Sequence, residues 1–172
     1  MRIYKEVLSD SLIEECKDDI SNLINQNVWR SNVFNWDSNL LKGTSGTCIY
    51  TKISNEKILN QLIEQTEEHF IKKYKTLTYL YYIWQSNSGI SLHTDEGHAF
   101  GATIYLNDEW HLHDGGIFLW KDGDCPNEVY KAICPQENMM IINDNYEKHM
   151  VTLVSPNSND YRYTIQIWGD VR

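Results

Sequence analysis

The amino-acid sequence predicts a mainly β fold, a jelly roll or β-sandwich packed against two helices near its N-terminal end. Three observations predict it. Two stretches of helical apolar period open the chain, that period is lost after Tyr74, and about seven short β-rich runs separated by turn clusters follow.

The first helix is expected to begin at Ser11, a capping residue, with Glu14 reaching back as in a capping box. Leu12, Ile13, Cys16, Ile20, Leu23 and Ile24 then share one face. The second helix is expected after Ser54 as cap. It sets Ile58, Leu59, Leu62, Ile63, Phe70 and Ile71 opposite Glu64, Glu67, Glu68 and Lys72. His69, beside that acidic face, is expected to be solvated. The intervening stretch 28–52 is rich in Asn, Ser and Trp and reads as irregular chain with one strand around 47–53. Its Trp29, Phe34 and Trp36 are expected mostly to pack on the sandwich, with a flap over substrate as the alternative, and Arg30 stays open between the two.

Strands are expected near 78–85, 100–106, 116–120, 128–133, 138–142, 149–154 and 161–168, where Tyr, Ile, Val, Thr and Trp concentrate. Clusters such as Ser86-Asn87-Ser88-Gly89, Asp114-Gly115-Gly116, Asp122-Gly123 and Asn143-Asp144-Asn145 separate them.

A chain of 172 residues fits one domain, with 1–75 as helical support and possible flap and 76–172 as the β core. Apolar residues at 41% and charged residues at 23% can bury a core unaided. Fifteen Lys and Arg against twenty-four Asp and Glu give a net charge of −9, with no basic stripe. Because phosphate contacts supply much of nucleic-acid affinity, DNA or RNA is not an expected partner. Cys16, Cys48, Cys125 and Cys134 contain no Cys-x-x-Cys pair, which removes zinc-finger and thioredoxin-like readings. With no apolar leader and no membrane-spanning run, a cytoplasmic setting is expected.

The chemistry gathers late in the chain. Residues two apart on extended chain point to one side, so His93 and Asp95 of His93-Thr94-Asp95 can meet one metal. Alone this pair is weak. It gains weight from His149, which opens another β run, because two His and one carboxylate on one face of an octahedron form the site of non-haem iron(II) oxygenases. On the run that follows, Arg162, Thr164, Gln166 and Trp168 share a face. A guanidinium there suits an anionic co-substrate, since its planar fork binds a carboxylate through two parallel hydrogen bonds.

The residues that carry a family likeness are Ser91-Leu92-His93-Thr94-Asp95, Ala102-Thr103-Ile104-Tyr105-Leu106-Asn107 with Trp110, Gly115-Gly116-Ile117-Phe118-Leu119, His149-Met150-Val151 and Arg162 to Trp168. Over roughly residues 78 to 170 they occur in the order of the iron(II)/2-oxoglutarate oxygenase superfamily, and the chain resembles its prolyl-hydroxylase-like branch most closely. The resemblance implies a double-stranded β-helix, a form of jelly roll. It implies His93, Asp95 and His149 as ligands of Fe(II), and Arg162 and Tyr105, assisted by Thr164, as the binders of the distal carboxylate of 2-oxoglutarate. It also implies O2 as co-substrate and hydroxylation of an unactivated C–H bond as the reaction. The retained Asp95 argues against halogenation.

Two features depart from the family pattern. Trp84 stands where an aromatic, usually Tyr, precedes the first metal His, and an indole cannot accept a hydrogen bond. The interval from His149 to Arg162 is longer than in close prolyl hydroxylases, with an extended turn at 155–160.

The substrate implied first is a prolyl or similar residue of a peptide or protein. A free amino acid or small metabolite is the alternative, favoured by a pocket sealed by 28–52. A non-catalytic jelly-roll binding module is a third reading, disfavoured while all three ligands and Arg162 are present. His111-Leu112-His113-Asp114 resembles a cupin pair but lacks the following Glu, so these residues are expected on an exposed rim, and His98 is expected to be an ordinary loop residue.

Overall fold

The computed structural model describes residues 1–121 and 129–171. In chain order the elements are β1 (Arg2–Lys5), α1 (Asp10–Leu23), β2 (Arg30–Ser31), β3 (Cys48–Lys52), α2 (Glu56–Thr66), β4 (Thr76–Trp84), β5 (Ile90–His93) and β6 (Phe100–Tyr105). β7 (Phe118–Lys121), β8 (Tyr130–Ile133), β9 (Met139–Asn143), β10 (His149–Val151) and β11 (Arg162–Asp170) complete them. The strands form a large sheet in the order β1-β9-β6-β11-β4-β3-β2 and a small one in the order β5-β10-β7-β8. Neighbouring strands run antiparallel throughout.

The period of two along the strands builds the layers. Tyr79, Tyr81 and Ile83 of β4, with Ile165 and Ile167 of β11, face α1 and α2 in one buried cluster. Tyr82 and Trp84, with Tyr105, Met139 and Ile141, face the small sheet in a second cluster beside Phe118, Trp120 and Val151. The large sheet is therefore apolar on both faces, as a middle layer must be.

The helices lie where the apolar period put them, but their ends differ. α1 starts at Asp10 with Ser9 at the N-cap, and no side chain caps it. The chain is delivered there by Asn138, whose side chain accepts from the Leu8 N–H (2.8 Å) and donates to the Leu8 carbonyl (2.7 Å), so Ser11 falls inside the first turn. α2 is capped by Asn55, not Ser54, through bonds from the N–H groups of Lys57 and Ile58. It ends at Thr66, whose hydroxyl donates back to the Leu62 carbonyl at 2.7 Å. Phe70 stacks on Phe100 at 4.5 Å while Ile71 is 72% exposed, and Ile24 is also exposed, so the two helical stripes are shorter than expected. His69 is half-buried: its ring lies 4.4 Å from that of Tyr4, and its carbonyl accepts from Arg2.

Most expected strands fall within about two residues of their observed bounds. The expected strand at 149–154 stops at Val151, because the register shifts between His149 and Val151, and Val154 instead bridges Gly115. β1, β2 and β5 are not expected from the sequence because each is only two to four residues long. Trp29 packs against the helix-side cluster, whereas Arg30 is exposed on β2. Cys16, Cys48 and Cys134 are free thiols. Cys125, the turn at 122–123, the start of the run at 128 and the Phe34 side chain lie outside the described residues. Among those described, no helix is long and apolar enough to cross a membrane.

Candidate active site

The two sheets splay apart around one cavity, and its walls include His93, Asp95, His149, Arg162, Trp36 and Trp168. The small sheet brings its two histidines together directly, for His149 on β10 is the cross-strand partner of His93 on β5. Their ring centroids are 4.3 Å apart. Asp95 lies just beyond β5, in a turn closed by the His98 N–H to the Asp95 carbonyl at 3.0 Å. Its Oδ1 is 3.5 Å from His93 Nε2 and its Oδ2 is 3.4 Å from His149 Nε2. One ligand atom from each of the three lies within 4.8 Å of the others, and among the described residues no other His, Cys, Asp or Glu group does this. Adjacent corners of an octahedron around a small divalent ion stand roughly 3 Å apart, so a modest contraction fits the triad to one metal.

Both imidazoles are prepared for coordination. His93 Nδ1 lies 2.7 Å from the Ser91 carbonyl and His149 Nδ1 lies 2.9 Å from the Glu147 carbonyl. A carbonyl only accepts, so each Nδ1 bears the proton and each Nε2 keeps its lone pair. Burial holds the His149 pKa below its ordinary value, although the Asp95 charge opposes the shift. Burial acts to raise the Asp95 pKa, but the surrounding His93, His149 and His98 favour the carboxylate, outweigh burial and hold the carboxyl low. A neutral imidazole beside an ionised carboxylate is the donor set a divalent metal requires.

The large sheet supplies the cation. Arg162 is 1% exposed, its guanidinium 5.0 Å from the Trp84 ring and 4.9 Å from the Tyr105 ring. It has no acidic partner among the described residues, and its Nε and Nη1, like the Tyr105 hydroxyl, make no hydrogen bond. Burial lowers the Arg162 pKa and raises that of Tyr105, leaving a guanidinium and a phenol donor side by side. An unpaired buried charge costs several kcal/mol. A carboxylate entering the cavity that Arg162 lines would meet an unpaired guanidinium, which is the fit expected of 2-oxoglutarate.

Thr164 and Trp84 form a pair absent from the sequence reading. The Trp84 indole N–H donates to Thr164 Oγ1 at 3.2 Å. It uses a lone pair of that oxygen and leaves the Thr164 proton for another acceptor. Two glycines also prove necessary. A Cβ at Gly116 (φ +60°) would lie 2.6 Å from Arg162 Cδ, and one at Gly101 would lie 2.7 Å from Trp168 and 3.0 Å from Asp95 Oδ2. Sequence reasoning took Gly115-Gly116 as turn punctuation. It also left out His98, which stacks on Trp168 at 4.3 Å and contacts the Asp170 carboxylate, and Asn143, a buried wall residue beside His149. His111 and His113 are exposed, away from the triad.

A jelly roll whose facing sheets hold a His, Asp, His triad and a buried arginine defines a class of metal- and keto-acid-dependent oxygenase. The family model of the 2OG-Fe(II) oxygenase superfamily matches residues 76–169, more than half of the chain, and the chain belongs to that superfamily. It is a 2-oxoglutarate-dependent dioxygenase that uses Fe(II), 2-oxoglutarate and O2. No curated protein matches it by sequence. Among solved structures it is similar to a Pseudomonas putida prolyl-4-hydroxylase, at TM-score 0.75 and 13% identity over 99% of this chain and 92% of that one. It is also similar to a prolyl hydroxylase from Trichoplax adhaerens in complex with a hypoxia inducible factor oxygen degradation domain peptide, at TM-score 0.71 and 16% identity over 98% and 82%. HygX from Streptomyces hygroscopicus, with nickel and 2-oxoglutarate bound, gives TM-score 0.65 and 11% identity over 98% and 82%. At these identities the likeness establishes the fold.

Proposed function

We propose that His93, Asp95 and His149 hold Fe(II), that Arg162 and Tyr105, assisted by Thr164, bind the distal carboxylate of 2-oxoglutarate, and that the chain hydroxylates an unactivated C–H bond on a prolyl or similar residue of a peptide. The observation that carries this reading is the buried guanidinium of Arg162, left without a carboxylate in the cavity that also contains the triad. Iron(II) with 2-oxoglutarate and O2 supplies the oxidising power: one oxygen atom enters the substrate and the other enters succinate as CO2 is lost. The protein's part is binding and aim. Arg162 neutralises and orients the keto acid, while Tyr105 donates its proton to the same carboxylate. Asp95 offsets part of the metal's charge, and the aromatic walls keep bulk water from the reacting centre.

Tyr82, Trp84, Trp36 and Trp168 give the cavity aromatic faces, which suit a saturated ring such as that of a prolyl residue. Support for a peptide substrate also comes from the two prolyl hydroxylases among the structural relatives. One observation favours a smaller substrate. The 28–52 segment is tied across the end of β5, with the Ser91 N–H donating to the Leu40 carbonyl (2.8 Å) and the Ser91 hydroxyl to the Lys42 carbonyl (2.6 Å), and it carries Trp36 into the cavity wall. A free amino acid or small metabolite is therefore the second reading.

Succinate formation from 2-oxoglutarate, measured with proline-containing peptides beside free amino acids, separates the two. Stimulation by peptides supports the first reading and stimulation by free amino acids alone supports the second. No succinate under any condition, from folded protein loaded with Fe(II), would contradict both.

A further inference from the structure

We propose that Asn143 is a positioning residue that fixes the tautomer and aim of His149, an inference that rests on His149 being a metal ligand. Alternation along β9 places Met139, Ile141 and Asn143 on the face between the sheets. The first two join the apolar cluster. Asn143, only 4% exposed, puts a carboxamide into that wall, and such a group is costly unless its polar atoms are engaged.

Both ends are engaged by one residue, Glu147. Asn143 Oδ1 accepts the Glu147 N–H at 3.2 Å, and Asn143 Nδ2 donates to the Glu147 carbonyl at 3.1 Å. This amide-to-peptide ring closes the loop between β9 and β10 and fixes the direction of the Glu147 carbonyl. The same oxygen lies 2.9 Å from His149 Nδ1. It demands the proton on Nδ1 and so leaves the Nε2 lone pair free, 3.4 Å from Asp95 Oδ2.

The geometry contains the wrong alternative too. Asn143 Nδ2 is 3.1 Å from His149 Nδ1. If the Glu147 carbonyl turned away, that amide could donate to Nδ1, and the proton would sit on Nε2, where it blocks coordination. His93 needs no such brace, because its acceptor, the Ser91 carbonyl, belongs to its own strand. The far side of the His149 loop is anchored separately, by Arg2 on the buried carboxylate of Asp144 at 2.7 and 3.1 Å. Asn143 thus holds the Glu147 carbonyl directly, while the Met1 amino group holds the side chain of the same residue.

The test is a Co(II) titration of the metal-free protein, followed by proton NMR of the exchangeable, hyperfine-shifted Nδ1–H resonances of His93 and His149. Asn143→Leu keeps the volume but removes both bonds, so Co(II) affinity should fall about 10–100-fold. The His149 resonance should broaden through solvent exchange while that of His93 stays. Asn143→Asp retains an acceptor for the Glu147 N–H and offers a carboxylate to Nδ1–H, and it should restore binding to within a few-fold. Unchanged affinity and unchanged resonances in Asn143→Leu would overturn the inference. So would equal loss of both resonances, which marks a general packing defect. Failure of the wild type to bind Co(II) would instead bring down the triad, and this inference with it.

Discussion

Arg162 shows how much of the site is settled by single residues. Its side chain lies between two aromatic rings, over a glycine that cannot be replaced without displacing it. Gly116→Ala should therefore weaken 2-oxoglutarate binding, because a methyl group at that position meets Arg162 Cδ and the positive φ adds strain of roughly 1–3 kcal/mol. Isothermal titration with the metal present reads the first effect and urea unfolding the second. Tyr105→Phe should weaken co-substrate binding by about one hydrogen bond to a charged group, about 1.5–3 kcal/mol, and should leave metal affinity in the absence of 2-oxoglutarate unchanged. The triad residues and Arg162 were legible in the sequence by residue type and by their order in the family pattern, although Asp95 sits in a turn beyond β5 and not on the extended chain that the period of two assumed. Gly101, Gly116 and Asn143 were not, because their importance lies in which side chain approaches them through space.

The histidine at the end of the triad also makes a pH prediction. Burial depresses the His149 pKa in the folded protein, so the unfolded chain binds the extra proton more readily. Its contribution to stability is complete above the ordinary histidine pKa, about 6.5, and is lost as pH falls through the lower folded value. Asp95, also held low, adds a second loss further into acid. The metal-free protein should lose stability as pH drops below about 6, and His149→Gln should remove the first part of that loss. Thermal unfolding across pH measures it, and an unchanged profile in the variant would refute the assignment.

Among the elements, α2 carries the sharpest test of where sequence reading failed. Ser54 and Asn55 can both cap, and sequence alone does not choose between them. The choice is made by the strand before them, where the Ile53 N–H bonds the Tyr79 carbonyl and fixes the point at which the chain turns. Asn55→Ala should cost about 0.5–2 kcal/mol, while Ser54→Ala should cost almost nothing. The buried stripe itself was correctly placed, and Leu62→Ala, at a fully buried position, should cost about 2–5 kcal/mol. Urea denaturation ranks all three. β5 escaped notice for a related reason: four residues between turn clusters carry little period, yet they hold His93 opposite His149.

At the scale of the whole molecule the site is a product of two sheets held together. In the proposed site the small sheet provides His93 and His149, the large sheet provides Arg162, Tyr105 and Thr164, and the buried cluster between them sets their separation. A ligand that bridges the sheets must therefore stabilise the fold by mass action. 2-Oxoglutarate added to the metal-loaded protein at about 100 times its dissociation constant should add about 2.7 kcal/mol and raise the melting temperature. The layered class was readable from the apolar pattern. The pairing order of the strands was not, since it depends on contacts between segments far apart in the chain.

The most direct test is an anaerobic titration of the metal-free protein with Fe(II) and 2-oxoglutarate, watched for the visible charge-transfer band of a chelated iron keto-acid complex. A band in the wild type that disappears in His149→Ala, and that needs far more 2-oxoglutarate in Arg162→Ala, is the predicted result. A folded wild-type protein that gives no band, or an Arg162→Ala variant that saturates at the wild-type concentration, would contradict it.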